Sequence, residues 1–236
     1  MRPINSCIGS PTYSVSKYLA KILKPLECRS TNTVNNSKEF SDFVSTQVIE
    51  HDETVVSFDV VSLFTSIPIQ LAIEVVQANL DQDNSWRQHT GLEKHHVMDL
   101  LKFLLDNSFF VYQGVYYHQS FGCAMGSPVS AVLAELVMID IETRALSTFA
   151  SQPRWWKRYV DDSNTCLKRT DVVNFHSHLN SINPHIQFTI EYPDVTTGTQ
   201  NIAFLDCKIS AQPERTVQVS TSKNNAYQQV FGFQFT

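Results

Sequence analysis

The feature that most constrains this chain is an apolar segment, residues 53 to 64, which reads ETVVSFDVVSLF. Val and Phe occupy both alternating sets of positions, a pattern that predicts a strand buried on both faces of a sheet. After Glu53 at its start, the charged residue in this segment is Asp59. An unpaired carboxylate at such a position is expensive. Asp59 therefore either lies at an exposed end of the strand or meets a divalent cation, and the segment alone leaves both open.

A second acidic feature is the pair Asp161 and Asp162 in the stretch KRYVDDSNTCLK, residues 157 to 168. This stretch predicts a strand, a tight turn and a second strand, with the two acids at the bend. Taken alone the pair favours a turn, because aspartate hydrogen-bonds its own backbone there. If this hairpin lies next to the Asp59 strand, three carboxylates converge. Such a cluster could not stay fully ionised without a metal ion.

The order of elements predicts an α+β domain, because strands arrive in pairs rather than in alternation with helices. Pro25 ends a first amphipathic helix, and the polar residues 27 to 40 indicate a loop. Ser66 with Pro68, and Ser127 with Pro128, each resemble an N-cap followed by a proline in the first helical turn. Further elements are a helix over 92–107, a hairpin over 109–119, a helix from 128 through about 144, a helix over 171–182, a strand over 186–193 and a final hairpin over 202–222.

Composition sets broad limits on function. Hydrophobic residues make up 42% and charged residues 17% of the chain, which is typical of a soluble globular protein. The five cysteines form no CxxC pair, so we expect neither a disulfide framework nor a structural zinc site, and an intracellular protein.

The net charge of −5 at first argues against a nucleic-acid partner. However, residues 1 to 30 carry five cations against one acid, and residues 154 to 158 carry three cations. Local patches decide where a phosphate backbone can lie. The charge pattern therefore neither supports nor excludes nucleic-acid binding.

Three ordered stretches resemble motifs A, B and C of reverse transcriptases: SFDVVSLFTSIP, GCAMGSPVSAVLAEL and RYVDD. More narrowly, the residues of these stretches resemble those of the Penelope-like retroelement branch, which is akin to telomerase. The stretches RPINSCIGSPTYSVSKYLAKILKPL, INPHIQFTIEYP and FLD also resemble that branch. The likeness covers roughly residues 2 to 210.

The resemblance implies a right-hand polymerase palm, an antiparallel sheet packed on helices, with partial fingers and no thumb. It assigns residues 1–50 to the fingers, 51–72 and 119–215 to the palm, 73–118 to their connection and 216–236 to a divergent tail. The implied activity is RNA-directed DNA polymerisation with two Mg²⁺ ions, or Mn²⁺ in their place. The implied partners are an RNA template, a DNA primer and deoxynucleoside triphosphates, with no membrane partner and a nuclear location.

The same resemblance assigns the metal site. It implies that Asp59, Asp161 and Asp162 bind the two ions, together with the backbone carbonyl of Val60. Phe64, five residues after the first acid, resembles the steric gate that excludes a ribose 2′-hydroxyl. Without the motif, simple core packing is the better interpretation of Phe64.

The nucleotide is expected to contact two further regions. Gly126, Ser127 and Pro128 match the motif B loop, where a glycine lets the backbone approach the nascent base pair. Arg2 matches the fingers arginine that grips the incoming triphosphate, although a solvated terminal residue is an equal alternative.

The residues before the acid pair are expected to contact primer and template. Tyr159 and Val160 would pack beside the primer end, and Lys157 and Arg158 would follow the nucleic-acid backbone. A surface strand with buried tryptophans is the alternative.

Two other functions compete with reverse transcription. A viral RNA-dependent RNA polymerase typically has a second acid at the position of Phe64 and GDD in place of YVDD, so the sequence leans away from it. The other alternative is a truncated, catalytically weak or inactive fragment that at most binds nucleic acid, because upstream fingers strands and a thumb have no counterpart here.

Overall fold

A computed structural model describes residues 10–113, 115–196, 198–211 and 216–221 of the chain. The described residues form two compact units that interleave in sequence. The helical unit takes the residues up to 31, 60–150 and 177–188, and the sheet unit takes 32–59, 151–176 and those from 189 on.

Helices and strands are both abundant, in agreement with the predicted α+β class. The helices are α1 Tyr13–Leu23, α2 Ser37–Val44, α3 Leu63–Ser66, α4 Ile69–Gln82, α5 Lys94–Asp106, α6 Pro128–Thr148 and α7 Val172–Ser181, with 3-10 helices at Lys24–Arg29 and Ser85–His89. The strands are β1 Glu53–Val60, β2 Phe109–Tyr112, β3 Val115–His118, β4 Trp155–Tyr159, β5 Asp162–Lys168, β6 Phe188–Glu191, β7 Asp194–Thr196, β8 Thr199–Phe204, β9 Cys207–Ala211 and β10 Val217–Thr221. None of these described helices has both the length and the apolar character needed to cross a membrane.

The helical unit is built around α6, which is buried along most of its length. Helices α1 and α4 pack against it, and the apolar face of α1 (Leu19, Ile22 and Leu23) is fully buried. Strands β2 and β3 form a separate antiparallel hairpin, as predicted. The predicted first helix corresponds to α1 and is confirmed, although it ends at Leu23, before Pro25.

The sheet unit contains strand β1 at the centre of its main sheet. The strand order is β4-β5-β1-β6, and β5 is antiparallel to both β4 and β1. Every residue of β1 is buried except Asp59, which confirms the prediction of a strand covered on both faces for residues 53 to 60. The predicted strand continued to residue 64, but the chain leaves the sheet after Val60 and enters α3 at Leu63. A second sheet has the order β10-β9-β8-β7, and the core of the unit includes Phe40, Val55, Trp155, Cys166, Ile202, Phe204 and Ile209.

Helix α2 was missed by the sequence analysis. Residues 27 to 40 are not wholly a loop, because α2 begins at Ser37 and buries Phe40 and Val44. The Asn36 side chain accepts a hydrogen bond from the Glu39 backbone N–H (2.8 Å), and the Glu39 carboxylate accepts one from the Asn35 N–H (2.9 Å). This is a capping pattern that the sequence does contain.

Other element boundaries also differ from the predictions. Pro68, not Ser66, is the N-cap of α4, and Ser66 ends α3 with its hydroxyl donating to the Val61 carbonyl at 2.9 Å. Helix α6 extends to Thr148, beyond the predicted end. The predicted final hairpin is three strands of a four-stranded sheet, with β7 added at one edge. The assignment of segments to fingers and palm stays a prediction.

Gly122 brings the loop before α6 into close contact with α3 in the helical unit. Its φ is +76°, and a Cβ there would lie 2.7 Å from Thr65 Cα and 2.8 Å from Thr65 O. The neighbouring Cys123 N–H donates to the Phe64 carbonyl at 2.7 Å. A side chain at position 122 would therefore push away the backbone that carries Phe64.

We expect Gly122→Ala to lower the free energy of unfolding by about 2 to 4 kcal/mol, through the clash and the left-handed backbone together. Urea unfolding of the full chain measures this. The matched control is Gly91→Ala, because no described atom lies within 4 Å of a Cβ there. Equal losses in the two variants would contradict the prediction.

Candidate active site

Two of the predicted catalytic acids lie opposite each other in the main sheet. In the register of β1 and β5, Asp59 pairs directly with Asp162. Directly opposed residues of antiparallel strands project from the same face, with Cβ atoms about 4.5 to 5.5 Å apart. Asp59 is exposed, and Asp161 and Asp162 are half-buried. The sequence left open whether the Asp59 strand and the acidic hairpin are neighbours, and the register shows that they are.

A strained turn carries the third acid. Tyr159 ends β4 and pairs with Asp162 at the start of β5, so Val160 and Asp161 form the connection. Val160 has a φ of +56°, a left-handed conformation that is rare for a β-branched residue. Such strain costs about 1 to 3 kcal/mol and persists where the surroundings enforce it.

Arg158 is the residue that holds Val160 in this strained conformation. Its side chain is fully buried, and its guanidinium donates to the Val160 carbonyl at 3.0 Å and to Thr33 Oγ1 at 3.2 Å. The Arg158 backbone N–H also donates to the Asn32 carbonyl at 2.9 Å. Arg158 therefore supports the turn from inside the fold. The expectation that its side chain follows a nucleic-acid backbone is corrected, because burial keeps it from the surface.

The other residues expected near primer and template are more accessible. Tyr159 is 39% and Val160 44% exposed, directly beside the acids. The Lys157 ammonium lies 4.6 Å from the centroid of the Phe43 ring, a cation–π distance. Their contacts with nucleic acid stay predictions.

A buried polar network next to the acids along β1 and β5 was missed by the sequence analysis. Trp155 Nε1 donates to Asn164 Oδ1 at 3.0 Å, and Asn164 Nδ2 donates to Ser57 Oγ at 3.3 Å. Asn164 and Ser57 pair in the register, two residues from Asp162 and Asp59 on their strands. A slip of the two strands would break these buried bonds, so the network holds the acids opposite each other. The sequence did contain a signal for this network, because Ser57 is a polar residue within a strand that is predicted to be buried.

The electrostatics of the cluster centre on Asp162. Burial, and then the charges of Asp161, Asp59 and Glu191, raises the pKa of Asp162 from 3.8 to about 6. Glu191 lies on β6, the strand next to β1, and sequence reasoning did not find it. On the same strand, the Thr189 hydroxyl donates to the Asp59 carbonyl at 3.3 Å. The site concentrates negative charge that a cation would relieve.

The acids suit Mg²⁺ in kind, but they do not form a closed cage. Among the described residues, no group of three or more His, Cys, Asp or Glu side chains is arranged as a metal site. Mg²⁺ is usually held by one or two carboxylates with substrate phosphates and water, rather than by protein ligands alone. The opposed oxygen ligands of Asp59 and Asp162 fit that pattern. The predicted two-ion set with Asp161 and the Val60 carbonyl stays a prediction.

The described residues that are expected to contact the nucleotide belong to the helical unit. Phe64 is half-buried, which leaves both the steric-gate and the packing interpretations in place. Gly126 is exposed with a φ of +100°, and Ser127 and Pro128 begin α6 immediately after it. Val60 is the buried last residue of β1. Arg2 lies outside the described residues.

Comparison with known proteins identifies the fold. No family model and no curated protein matches the chain. The structure of telomerase from Candida tropicalis in complex with a TWJ fragment of telomeric RNA matches with a TM-score of 0.65 and 12% identity, over 97% of this chain and 40% of that one. The apo telomerase of the same organism matches with a TM-score of 0.64 and 11% identity, over 89% of this chain and 41% of that one. The BmCPV RNA-dependent RNA polymerase at its elongation state matches with a TM-score of 0.55 and 11% identity, over 85% and 20% of the two chains.

At such low identity the similarity shows the fold alone. The chain has the mixed helix and antiparallel-sheet fold that telomerase and viral RNA polymerases share, and the predicted polymerase palm is confirmed at that level. This chain spans about two fifths of the length of the telomerase chains that it matches. The narrower likeness to Penelope-like retroelements stays a prediction.

The raised pKa of Asp162 predicts a pH-dependent stability. A carboxyl that binds its proton more tightly in the folded state contributes most stability below its ordinary value of 3.8, and that contribution is lost as the pH rises through about 6. We expect the melting temperature of the metal-free protein to fall over this window. Asp162→Asn should make the fall shallower.

Thermal unfolding in a chelating buffer between about pH 4 and pH 8 measures the effect. Asp194→Asn, at an exposed position of β7, is the control and should keep the wild-type slope. An Asp162→Asn protein with the same slope as wild type would contradict the prediction.

Proposed function

We propose that the chain is the palm, with part of the fingers, of an RNA-directed DNA polymerase that adds deoxynucleotides to the 3′ end of a primer. The observation that carries the proposal is the register that sets Asp59 opposite Asp162, next to Asp161, within a fold shared with telomerase. Paired carboxylates on one sheet face are the ligands that phosphoryl transfer by two metal ions requires.

The proposed metal ligands are Asp59, Asp161, Asp162 and the Val60 carbonyl oxygen. Two Mg²⁺ ions, or Mn²⁺, would supply Lewis-acid chemistry there, favouring the ionised primer hydroxyl and neutralising charge on the triphosphate. The protein's own part in phosphoryl transfer is mostly positioning. Arg158 and the Trp155–Asn164–Ser57 network perform it, because they fix the turn and the register that hold the acids.

The proposed substrates are an RNA template, a DNA primer and deoxynucleoside triphosphates. Tyr159 and Val160 would pack against the primer end, and Lys157 would contact the nucleic-acid backbone. Phe64 would exclude a 2′-hydroxyl, and the loop of Gly126, Ser127 and Pro128 would approach the nascent base pair. Arg2 would bind the triphosphate.

Two alternatives compete with this proposal. The similarity to a viral RNA-dependent RNA polymerase favours RNA synthesis, whereas Phe64 in place of an acid argues against it. The second alternative is a catalytically weak or inactive protein that at most binds nucleic acid. Nucleotide choice and primer extension separate the three.

We expect the purified chain to extend a DNA primer on an RNA template with Mg²⁺ or Mn²⁺. Asp161→Ala should reduce the rate about 10³-fold, because a carboxylate that holds transition-state charge in place is lost. Asp194→Ala is the control and should extend like wild type. Extension that is indifferent to Asp161 would contradict the site. A folded wild type that binds the duplex without extending it would favour the binding fragment.

The role of Phe64 is tested by nucleotide selection. We expect Phe64→Ala to raise the use of ribonucleotides relative to deoxynucleotides about 10- to 100-fold, since removing the ring makes room for one oxygen. Competing incorporation of the two nucleotides on one template measures the ratio. Phe103→Ala, at a half-exposed position of α5 in the same unit, should leave it unchanged. An unchanged ratio in Phe64→Ala would favour core packing.

A further inference from the structure

The N-terminus of α6 is capped by a residue from another helix. Ser127 is the N-cap position, but within the described residues its side chain accepts no capping bond from α6. Pro128 has no N–H to cap. The first N–H of the helix, that of Val129, donates instead to Ser16 Oγ at 3.1 Å. Ser16 lies on α1, 113 residues away in sequence.

The same Ser16 hydroxyl also contacts Ser127. The two Oγ atoms are 2.7 Å apart, a normal hydrogen-bond distance between hydroxyls. Ser16 is only 2% exposed, so its hydroxyl depends on these protein partners rather than on water. One hydroxyl has a donor and two acceptor sites, which is enough for both bonds at once.

The two bonds fasten the loop that precedes α6. Gly126 has a φ of +100° and is exposed, so by itself this position has the backbone freedom to shift. Ser127 follows it in an extended conformation with its side chain tied to Ser16, and Val129 is tied through its backbone. Helix α1, whose apolar face is fully buried, thus anchors both sides of Pro128 through one side chain.

We propose that Ser16 is a positioning residue for nucleotide binding, which holds the loop of Gly126, Ser127 and Pro128 in the conformation that receives the nucleotide. This inference rests on the proposed function, which supplies the ligand of that loop. A purely structural cap would stabilise the helix pair and leave nucleotide affinity unchanged. The two roles differ in what a loss of the hydroxyl does to the KM for the deoxynucleotide.

Primer extension with Ser16→Ala, Ser16→Thr and Ser14→Ala provides the kinetic test. We expect Ser16→Ala to raise the KM for the deoxynucleotide about tenfold and to change kcat less than about twofold, since loss of a cap loosens the loop while the acids stay in place. Ser16→Thr keeps the hydroxyl and should restore a KM near that of wild type. Ser14→Ala, on the exposed face of the same helix, should match wild type. A KM unchanged in Ser16→Ala, with a lower melting temperature, would overturn the proposal.

Amide hydrogen exchange gives a readout that does not need turnover. We expect a deoxynucleoside triphosphate with Mg²⁺ to slow exchange around Val129 in wild type and in Ser14→Ala, but not in Ser16→Ala. Equal protection in Ser16→Ala, or no protection in wild type, would overturn the role of Ser16. If wild type shows this protection but extends no primer, the polymerase function fails while the positioning role of Ser16 stands.

Discussion

The pairing of β1 with β5 is the interaction on which the candidate site depends. One residue of slip between these strands would turn Asp162 to the opposite face from Asp59, because side chains alternate along a strand. The apolar cover on both faces of β1 fixes the strand inside the sheet unit. The bonds from Trp155 to Asn164 and from Asn164 to Ser57 then select one register among those that bury the same apolar residues.

The candidate site carries two energetic costs, the strain of its turn and the concentration of negative charge. Val160 adopts a strained backbone, and burial, followed by the charges of Asp161, Asp59 and Glu191, raises the pKa of Asp162. The buried guanidinium of Arg158 offsets the first of these, since it binds the Val160 carbonyl from within. The charges that act on the Asp162 carboxyl among the described residues are those of other acids, and a bound cation would relieve their repulsion.

Local patterns in the sequence predicted the elements that depend on local interactions. The hairpin around Asp161 and Asp162, the buried strand of Asp59 and the start of α6 at Pro128 all follow from periodicity, turn chemistry and proline preference. Helix α2 was missed although Asn36 and Glu39 form a capping pattern, because its short polar sequence outweighed that signal. The burial of Arg158 could not be predicted, because an arginine in a run of cations usually lies at the surface and its partner Thr33 is 125 residues away.

The sequence by itself determined which residues we propose to carry the chemistry: an acid within a buried strand, an acid pair at a bend, and a Gly-Ser-Pro loop before a long helix. Only the tertiary structure decided that Asp59 faces Asp162 and that Glu191 adds to their charge. It also decided that Ser16 caps α6, although Val129 of that helix lies 113 residues further along the chain. Each of these contacts joins residues far apart along the chain. Such contacts are set by strand register and helix packing, which depend on the whole core rather than on neighbouring residues.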